Sequence, residues 1–545
     1  MNKPLKSRRS FLSGVAVAGA ASAVPGMLKA EENGAKMEPL AKSTSPSETA
    51  RQRLAYQVRL AAANYQKDQP VAAHAVNVDE TRSPSGVVSY SKGLMQNALG
   101  EPDSLSYRAF VKACETGSMD SFNLVVMGGT SRLANPLGAY AYGLEGADSH
   151  QLTMPAPPSC SSAGMAADMV EDYWRALTRD VAFNDYGTAG LIQQASDDMS
   201  TLSAYSGVKV NGKVTPNVIF RGQTAGDLQG PILSQFLLKP IPYGGTIIPQ
   251  TWRTYTPGSD YVTTYGDWLN IQNGIPPTAT QQFDTTPRYI RNMRDLAAFV
   301  HNDYPYEAFL NAACILQGLG GAVASTTSPY AVGGPTTGFV TFGPVMVFDL
   351  VSRVAAAALR AAWFQKWNVH RRIRPEQFAG RVHNHVSGAA TYALHADLLQ
   401  SKALPAVFGK TGNYLLPQAY PEGAPLHPSY PAGHACIAGA CATVLKAIYA
   451  EKAVLASPVA ASSDGLTLNP VTGVSLTVGG ELDKLASNVA LARDSAGVHY
   501  RSDSVQGLLL GEKVAIGILR DYRSTLPEFY PAFQFTGFGG ALMAV

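Results

Sequence analysis

Cysteine is scarce in this 545-residue chain: there are five, and none stands in a Cys-x-x-Cys pair. That excludes a disulfide-built scaffold and a paired-thiolate zinc site. Charged residues are also few, 15% against 46% hydrophobic, which excludes a disordered chain and predicts a large buried core. Neither sign of charge dominates. The formal charge is +3, yet Lys3, Lys6, Arg8 and Arg9 crowd the first nine residues, and 43 basic residues less these four face 40 acidic ones. So balanced a chain carries no electrostatic footprint for nucleic acid or an anionic membrane, and neither is expected as a partner. Internal repeats are missing, as is any other run of membrane-spanning length, so stable membrane insertion is not expected.

What is present begins with a targeting pattern. Ser7-Arg8-Arg9-Ser10-Phe11-Leu12, then an Ala-, Gly- and Val-rich run ending at Ala21-Ser22-Ala23, has the layout of a twin-arginine export signal. Residues 1–30 are therefore set aside as that signal, and the protein is expected to be exported, periplasmic or secreted. A polar linker follows over 31–48. A helical pattern covers 49–66, with Leu54, Val58, Leu60 and Ala61 as its apolar positions. Residues 70–165 are punctuated by Gly, Pro and Ser and read as loop-rich. Helices are predicted at 163–182, 227–238 and 291–318, with Gly/Pro/Thr-rich stretches at 239–288 and 319–344. From Pro344 the character changes: Ala-rich apolar runs at 345–368, 386–402, 432–456, 481–493 and 503–520 belong at the centre of a bundle. A helical, loop-rich region over 49–340 and a C-terminal bundle over 341–545 are expected to form one integrated unit. Cys436 and Cys441 read as core residues, and Cys114 and Cys160 as the pair an oxidising compartment could bridge.

Three clusters in the last third carry the chemistry. The first is Trp363-Phe364-Gln365-Lys366 with Arg371, Arg372, Arg374 and Pro375. The second is His427-Pro428-Ser429-Tyr430-Pro431-Ala432-Gly433-His434, and the third is Arg493, His499 and Asp503. Singly, each has a bland explanation: a solvated helix end, an ordinary helix start after proline, a surface pair. Together, Lys366, Arg374 and Arg493 on apolar segments need a counter-charge, because buried unpaired charge is costly. A multiply negative oxyanion would supply it. Gly433 and His434, opening a helix, would add backbone donors and the positive end of a helix dipole. Asp503, four residues from His499, is expected to share its helix face and to take the proton of one imidazole nitrogen, leaving the other as ligand or nucleophile. Arg371 and Arg372 read as structural, and His370, His383 and His385 as solvent-facing or core histidines. Trp363 is placed on the face of Lys366, and Trp367 in packing.

These clusters resemble the active site of vanadium-dependent haloperoxidases, specifically the bromoperoxidase branch, which is related to the type 2 phosphatidic acid phosphatases. Asp172-Tyr173-Trp174-Arg175-Ala176-Leu177, Arg179-Asp180-Val181-Ala182-Phe183 and Gly230-Pro231-Ile232-Leu233-Ser234-Gln235-Phe236-Leu237-Leu238 are also similar to segments of that branch. The likeness extends over most of residues 160–540. Seven residues separate Lys366 from Arg374, as in bromoperoxidases, where the phosphatase pattern has six, and His427 is likewise a bromoperoxidase feature. The resemblance implies a mainly α, multi-helix bundle of the vanadium haloperoxidase and acid phosphatase type, with long loops and little β. It implies vanadate as cofactor, hydrogen peroxide and halide (bromide or iodide) as substrates with small organic molecules as acceptors, and a homo-oligomer, most simply a dimer.

By the same resemblance His499 is the vanadium ligand, while Lys366, Arg374 and Arg493 neutralise the oxygens. Gly433 donates its N–H, and His434 acts as acid and base. Lys366 also stabilises charge on peroxide oxygen, His427 tunes the pocket, Trp363 lines the halide approach and Asp503 supports His499. Ala432 departs from the pattern, which usually has Ser, and removes a hydroxyl donor. An acid phosphatase using His499 as nucleophile, and a non-catalytic phosphate-binding homologue, are the alternatives.

Overall fold

In the computed structural model residues 48–545 are described; the export signal read at 1–30 and the linker before Glu48 lie outside the described residues. The helices of eight residues or more are α1 (Glu48–Lys67), α2 (Ser104–Thr116), α3 (Ala163–Thr178), α4 (Gly190–Thr201), α5 (Tyr265–Gln272), α6 (Met293–Asn302), α7 (Glu307–Leu319), α8 (Pro344–Phe364), α9 (Pro375–Val386), α10 (Ala403–Thr411), α11 (Gly433–Ile448), α12 (Val478–Ser495) and α13 (Arg501–Arg523). Strand is confined among the described residues to three short antiparallel pairs: Ile241–Tyr243 with Thr246–Ile248, Val459–Ala461 with Leu468–Pro470, and Gln534–Thr536 with Leu542–Ala544.

Small residues decide the centre. α11, Ala-rich and buried along almost its whole length, runs against α8, α12 and α13. A Cβ on Gly439 would lie 2.1 Å from the Leu508 carbonyl oxygen, and one on Gly511 2.0 Å from that of Cys436. The α11–α13 crossing is thus backbone against backbone, which only glycine permits. The main core gathers side chains from α6, α7, α8, α11, α12 and α13, from both sides of residue 341. A second core surrounds α3 and α9, and a third sets Trp367 against Tyr90 and Phe110.

Several expected helices fall differently. The 163–182 helix stops at Thr178. Over 227–238 only the turn Gln235–Leu237 is helical, because Gly230 takes φ +57° and Pro231 lacks an N–H. The 291–318 helix is two, α6 and α7, parted at Asp303-Tyr304-Pro305-Tyr306. The run at 386–402 is not a helix: α9 ends there at Val386, Gly388 turns the chain at φ +78°, and only Ala396–Leu399 regains a turn. The 345–368 run leaves α-geometry after Phe364, and α11 ends at Ile448 rather than 456. α4 and α5 lie in stretches where no helix was expected. Cys114 and Cys160 are not bridged; all five cysteines are free and buried.

Candidate active site

Lys366 reaches its position on a widened turn. Residues Gln365–His370 form a π-turn, closed by the Arg371 N–H donating to the Lys366 carbonyl at 3.0 Å. A turn of this kind absorbs one extra residue, and this is where the seventh residue before Arg374 is accommodated. Trp367 buried against Tyr90 and Phe110, and His370 set edge-on to Tyr430 at 4.9 Å, pin the turn on both sides. The fully buried Lys366 Nζ donates to the carbonyls of Pro428 and Ser429, each at 2.7 Å, which uses two of its three N–H groups. Burial, reinforced by nearby Arg374, holds its pKa well below the ordinary lysine range.

Arg374 caps the start of α9, with Pro375 at the first helical position. Its Nε donates to the His427 carbonyl at 2.8 Å, and Nη1 to the Val498 carbonyl at 2.7 Å and to His499 Nε2 at 2.9 Å. Nη2 donates to His427 Nδ1 at 2.8 Å. Burial lowers even this guanidinium, to about 10. Arg493, in the last turn of α12, donates through Nη1 to the Val300 carbonyl at 2.9 Å and to the Tyr420 hydroxyl at 3.4 Å. Its Nε is buried with no partner. Among the described residues, Lys366, Arg374 and Arg493 form no ion pair with any carboxylate, although buried arginines elsewhere, such as Arg175 and Arg501 on Glu171, do.

His499 is neutral, and its partners assign the tautomer. A guanidinium only donates, so Nε2 accepts from Arg374; the Asp503 carboxylate only accepts, so Nδ1 carries the proton, at 2.9 Å from Oδ2. Burial first, then the charges of Arg374, Lys366, Arg493 and His434, hold the imidazole pKa well below its ordinary value. The expectation of a shared helix face needs correction. α13 begins only at Arg501, so His499 lies outside it, and Asp503 meets both the His499 ring and the Tyr500 N–H (3.2 Å) as part of the helix cap. Asp503 is itself fixed by the Ser429 hydroxyl and by Arg372 Nη1 at 2.6 Å; Arg372 also donates to Asp168 at 3.1 Å and Ser502 at 2.7 Å. Arg372, read as structural, thus stands one residue behind the His499 support.

α11 opens as expected at Gly433. Ala432 is its N-cap and supplies no side-chain bond; the first intrahelical bond runs from the Cys436 N–H to the Ala432 carbonyl at 3.1 Å, so the Gly433, His434 and Ala435 N–H groups precede it. A Cβ on Gly433 would press within 3.2 Å of Leu359 and 3.4 Å of the Trp363 ring. Trp363 donates Nε1 to the Ala134 and Asn135 carbonyls at 3.2 and 3.1 Å and lies 4.7 Å from the His427 ring. His434 Nε2 is 3.0 Å from Asp303 Oδ1, and the Asp303 side chain is 4% exposed.

Lys366, Arg374, His427 and His499 are therefore joined by direct bonds or one intervening backbone segment, and the charges of Arg493 and His434 lie near enough to help lower the His499 pKa. Sequence reasoning missed Ser429, Arg372, Asp303 and Tyr420. Ser429 stood inside the second cluster. Asp303 was hidden by reading its segment as unbroken helix, where Pro305 was the available signal.

The donor set fits an oxyanion: three cations without carboxylates, unshared helix N–H groups, an orphaned Arg493 Nε, and one imidazole lone pair. Among the described residues no three His, Cys, Asp or Glu side chains converge to hold a metal cation. The fold and site define a helical-bundle protein whose buried cationic pocket beside the His499 imidazole is suited to a tetrahedral or trigonal oxyanion.

Comparison with known proteins carries this to a family. The model of the VCPO second helical-bundle domain matches residues 346–526. A vanadium-dependent bromoperoxidase of Ascophyllum nodosum is 34% identical over 513 residues, covering 90% of this chain and 91% of that protein. One of Corallina officinalis is 32% identical over 550 residues, covering 84% and 91%. The solved homohexameric structure of the second vanadate-dependent bromoperoxidase from Ascophyllum nodosum superposes with a TM-score of 0.87 at 28% identity, covering 99% of this chain and 96% of that one. The chain belongs to the vanadium-dependent bromoperoxidase family.

Proposed function

We propose that the protein is a vanadate-dependent haloperoxidase that oxidises bromide or iodide with hydrogen peroxide to a hypohalous species, which halogenates small organic compounds. The observation that carries this is the cluster of carboxylate-free cations around the His499 Nε2 lone pair, in a chain of this family. His499 would be the vanadium ligand; Lys366, Arg374, Arg493 and the Gly433 N–H would hold the oxygens. When bound, vanadate supplies a Lewis acid that opens a peroxide oxygen to attack by halide. Overall, halide would give two electrons to one peroxide oxygen, forming the halogen–oxygen bond as the O–O bond breaks, while the other oxygen would take up a proton drawn from solvent and leave as water. His434, whose Nε2–H is committed to Asp303, has Nδ1 for exchanging the protons that peroxide brings and the departing oxygen takes. The spare Lys366 N–H stabilises negative charge developing on oxygen. His427, tilted against Trp363 at 4.7 Å and accepting from Arg374, would fix that guanidinium and one wall of the halide approach.

Bromide and iodide oxidation by peroxide, followed with monochlorodimedone and by triiodide absorbance, is expected only with vanadate added to apo-protein. Turnover of nitrophenyl phosphate without halide oxidation would overturn the reading. We also propose a homo-oligomer, on the strength of the homohexameric relative; light scattering showing a 57.7 kDa monomer would refute it. Export rests on the paired-arginine pattern at Ser7–Leu12, and replacement of Arg8 and Arg9 by Lys should leave the protein in the cytoplasm.

A further inference from the structure

The end of α6 touches two sides of the site at once. Within four residues the Val300 carbonyl accepts from Arg493 and Asp303 pairs with His434, while His301 lies between them. The His301 ring stacks on the buried Tyr420 ring at 3.7 Å and 16°, a close parallel contact. Tyr420 faces Arg493 twice: its hydroxyl is 3.4 Å from Nη1, and the guanidinium carbon is 5.5 Å from its ring centroid. The hydroxyl in turn donates to the Ala297 carbonyl at 2.8 Å, so its lone pairs are turned to Arg493. His301 itself is fixed from both edges. Nε2 is 2.6 Å from Glu422 Oε1, and Nδ1 meets the Tyr255 hydroxyl, to which Asn302 Nδ2 donates at 3.1 Å.

We infer that His301 is a positioning residue for vanadate binding, acting through Tyr420 to hold the Arg493 guanidinium against the oxyanion. The reason is a deficit in Arg493's own anchoring. Lys366 is held by two carbonyls and Arg374 by two carbonyls and two imidazoles, but Arg493 has one carbonyl and one long bond to a phenol. A guanidinium so lightly held keeps its place only if the aromatic surface beneath it cannot move. His301, clamped between Glu422 and Tyr255, supplies that fixity. Loss of one such stacked or hydrogen-bonded support is worth roughly a threefold to tenfold change in affinity.

This rests on the vanadate-binding reading above, and the test separates the two. Apo-protein is titrated with orthovanadate by calorimetry, with Tm recorded for every variant. His301→Ala is expected to weaken vanadate several-fold with the apo-protein Tm nearly unchanged. His301→Phe keeps a ring on Tyr420 and should regain most of the loss. Tyr420→Phe, which removes the phenol oxygen, should weaken binding by itself even if His301→Ala fails to fold. In an Arg493→Gln background His301→Ala should add less than a twofold effect. Unaltered vanadate affinity in His301→Ala, or an undiminished effect without Arg493, would overturn the inference and leave the functional reading standing. Wild-type protein that takes up no vanadate would overturn both.

Discussion

A methyl group stands at Ala432, where a hydroxyl could accept from the first-turn N–H groups of α11 and donate outward to an oxyanion. Ser429 does not compensate, because its hydroxyl is committed to Asp503. A bond to a charged group contributes about 1.5–3 kcal/mol, so Ala432→Ser should tighten vanadate roughly tenfold to hundredfold. Titration of apo-protein with vanadate checks this, and equal or weaker binding would refute it. His370 offers a second prediction. Both ring nitrogens are buried without partners, and burial, followed by the charges of His74, Arg371 and Arg372, lowers its pKa to about 3 from 6.5. Above pH 6.5 neither folded nor unfolded imidazole is protonated; between 6.5 and 3 only the unfolded one takes a proton. The stability contribution is therefore present above 6.5 and lost as pH falls toward 3, by about 1.4 kcal/mol per pH unit. His370→Phe should flatten the acid limb of Tm against pH; an unchanged slope would show that His370 does not set it. At this scale the sequence was informative about formal charge and poor about partners. Lys366, Arg374, Arg493 and His499 could be picked out because charges on apolar segments demand explanation, whereas Arg372 and Asp303 look like ordinary surface ions until their neighbours are known.

Between residues and fold, the π-turn Gln365–His370 decides where Lys366 faces. Its bond from the Arg371 N–H back to the Lys366 carbonyl spans one residue more than an α-turn, and Asn368 sits in the widened part. Deleting Asn368 should restore α-spacing and rotate Lys366 away from the Pro428 and Ser429 carbonyls. Misplacement by about an ångström costs on the order of a hundredfold where geometry is tight. Vanadate affinity should fall by that order while far-UV circular dichroism stays as in wild type; retained affinity would show that the extra residue is a spacer without geometric consequence. The long helices α8, α11, α12 and α13 were legible because small and apolar residues recur along them, burial being nearly complete on every face of α11 and α12. Breaks were not. Periodicity runs on through Asp303–Tyr306, and only tertiary contacts reveal that the chain turns there to bring Asp303 beside His434.

For the whole molecule, three uncompensated buried cations should make the apo-protein less stable than its anion complex. α9, α12 and the π-turn are each carried by a different part of the bundle, so Arg374, Arg493 and Lys366 repel one another only because the fold brings them together. A bound anion relieves that repulsion in the folded state alone. Phosphate has the shape and charge of vanadate without its chemistry toward peroxide, and at a hundred times its Kd it should contribute about 2.7 kcal/mol. For some 500 described residues the entropy of unfolding is about 1 kcal/mol per degree, so Tm should rise by about 2–3 °C. Chloride at the same ionic strength should not reproduce the rise, because general screening does not supply a multiply charged counter-ion with matched hydrogen-bond acceptors. Arg493→Gln or Lys366→Ala should raise the Tm of the apo-protein toward that of the phosphate complex and shrink the phosphate increment. A phosphate increment that survives intact in both variants would place the anion elsewhere on the molecule, and the convergence of these cations would then be a matter of packing alone.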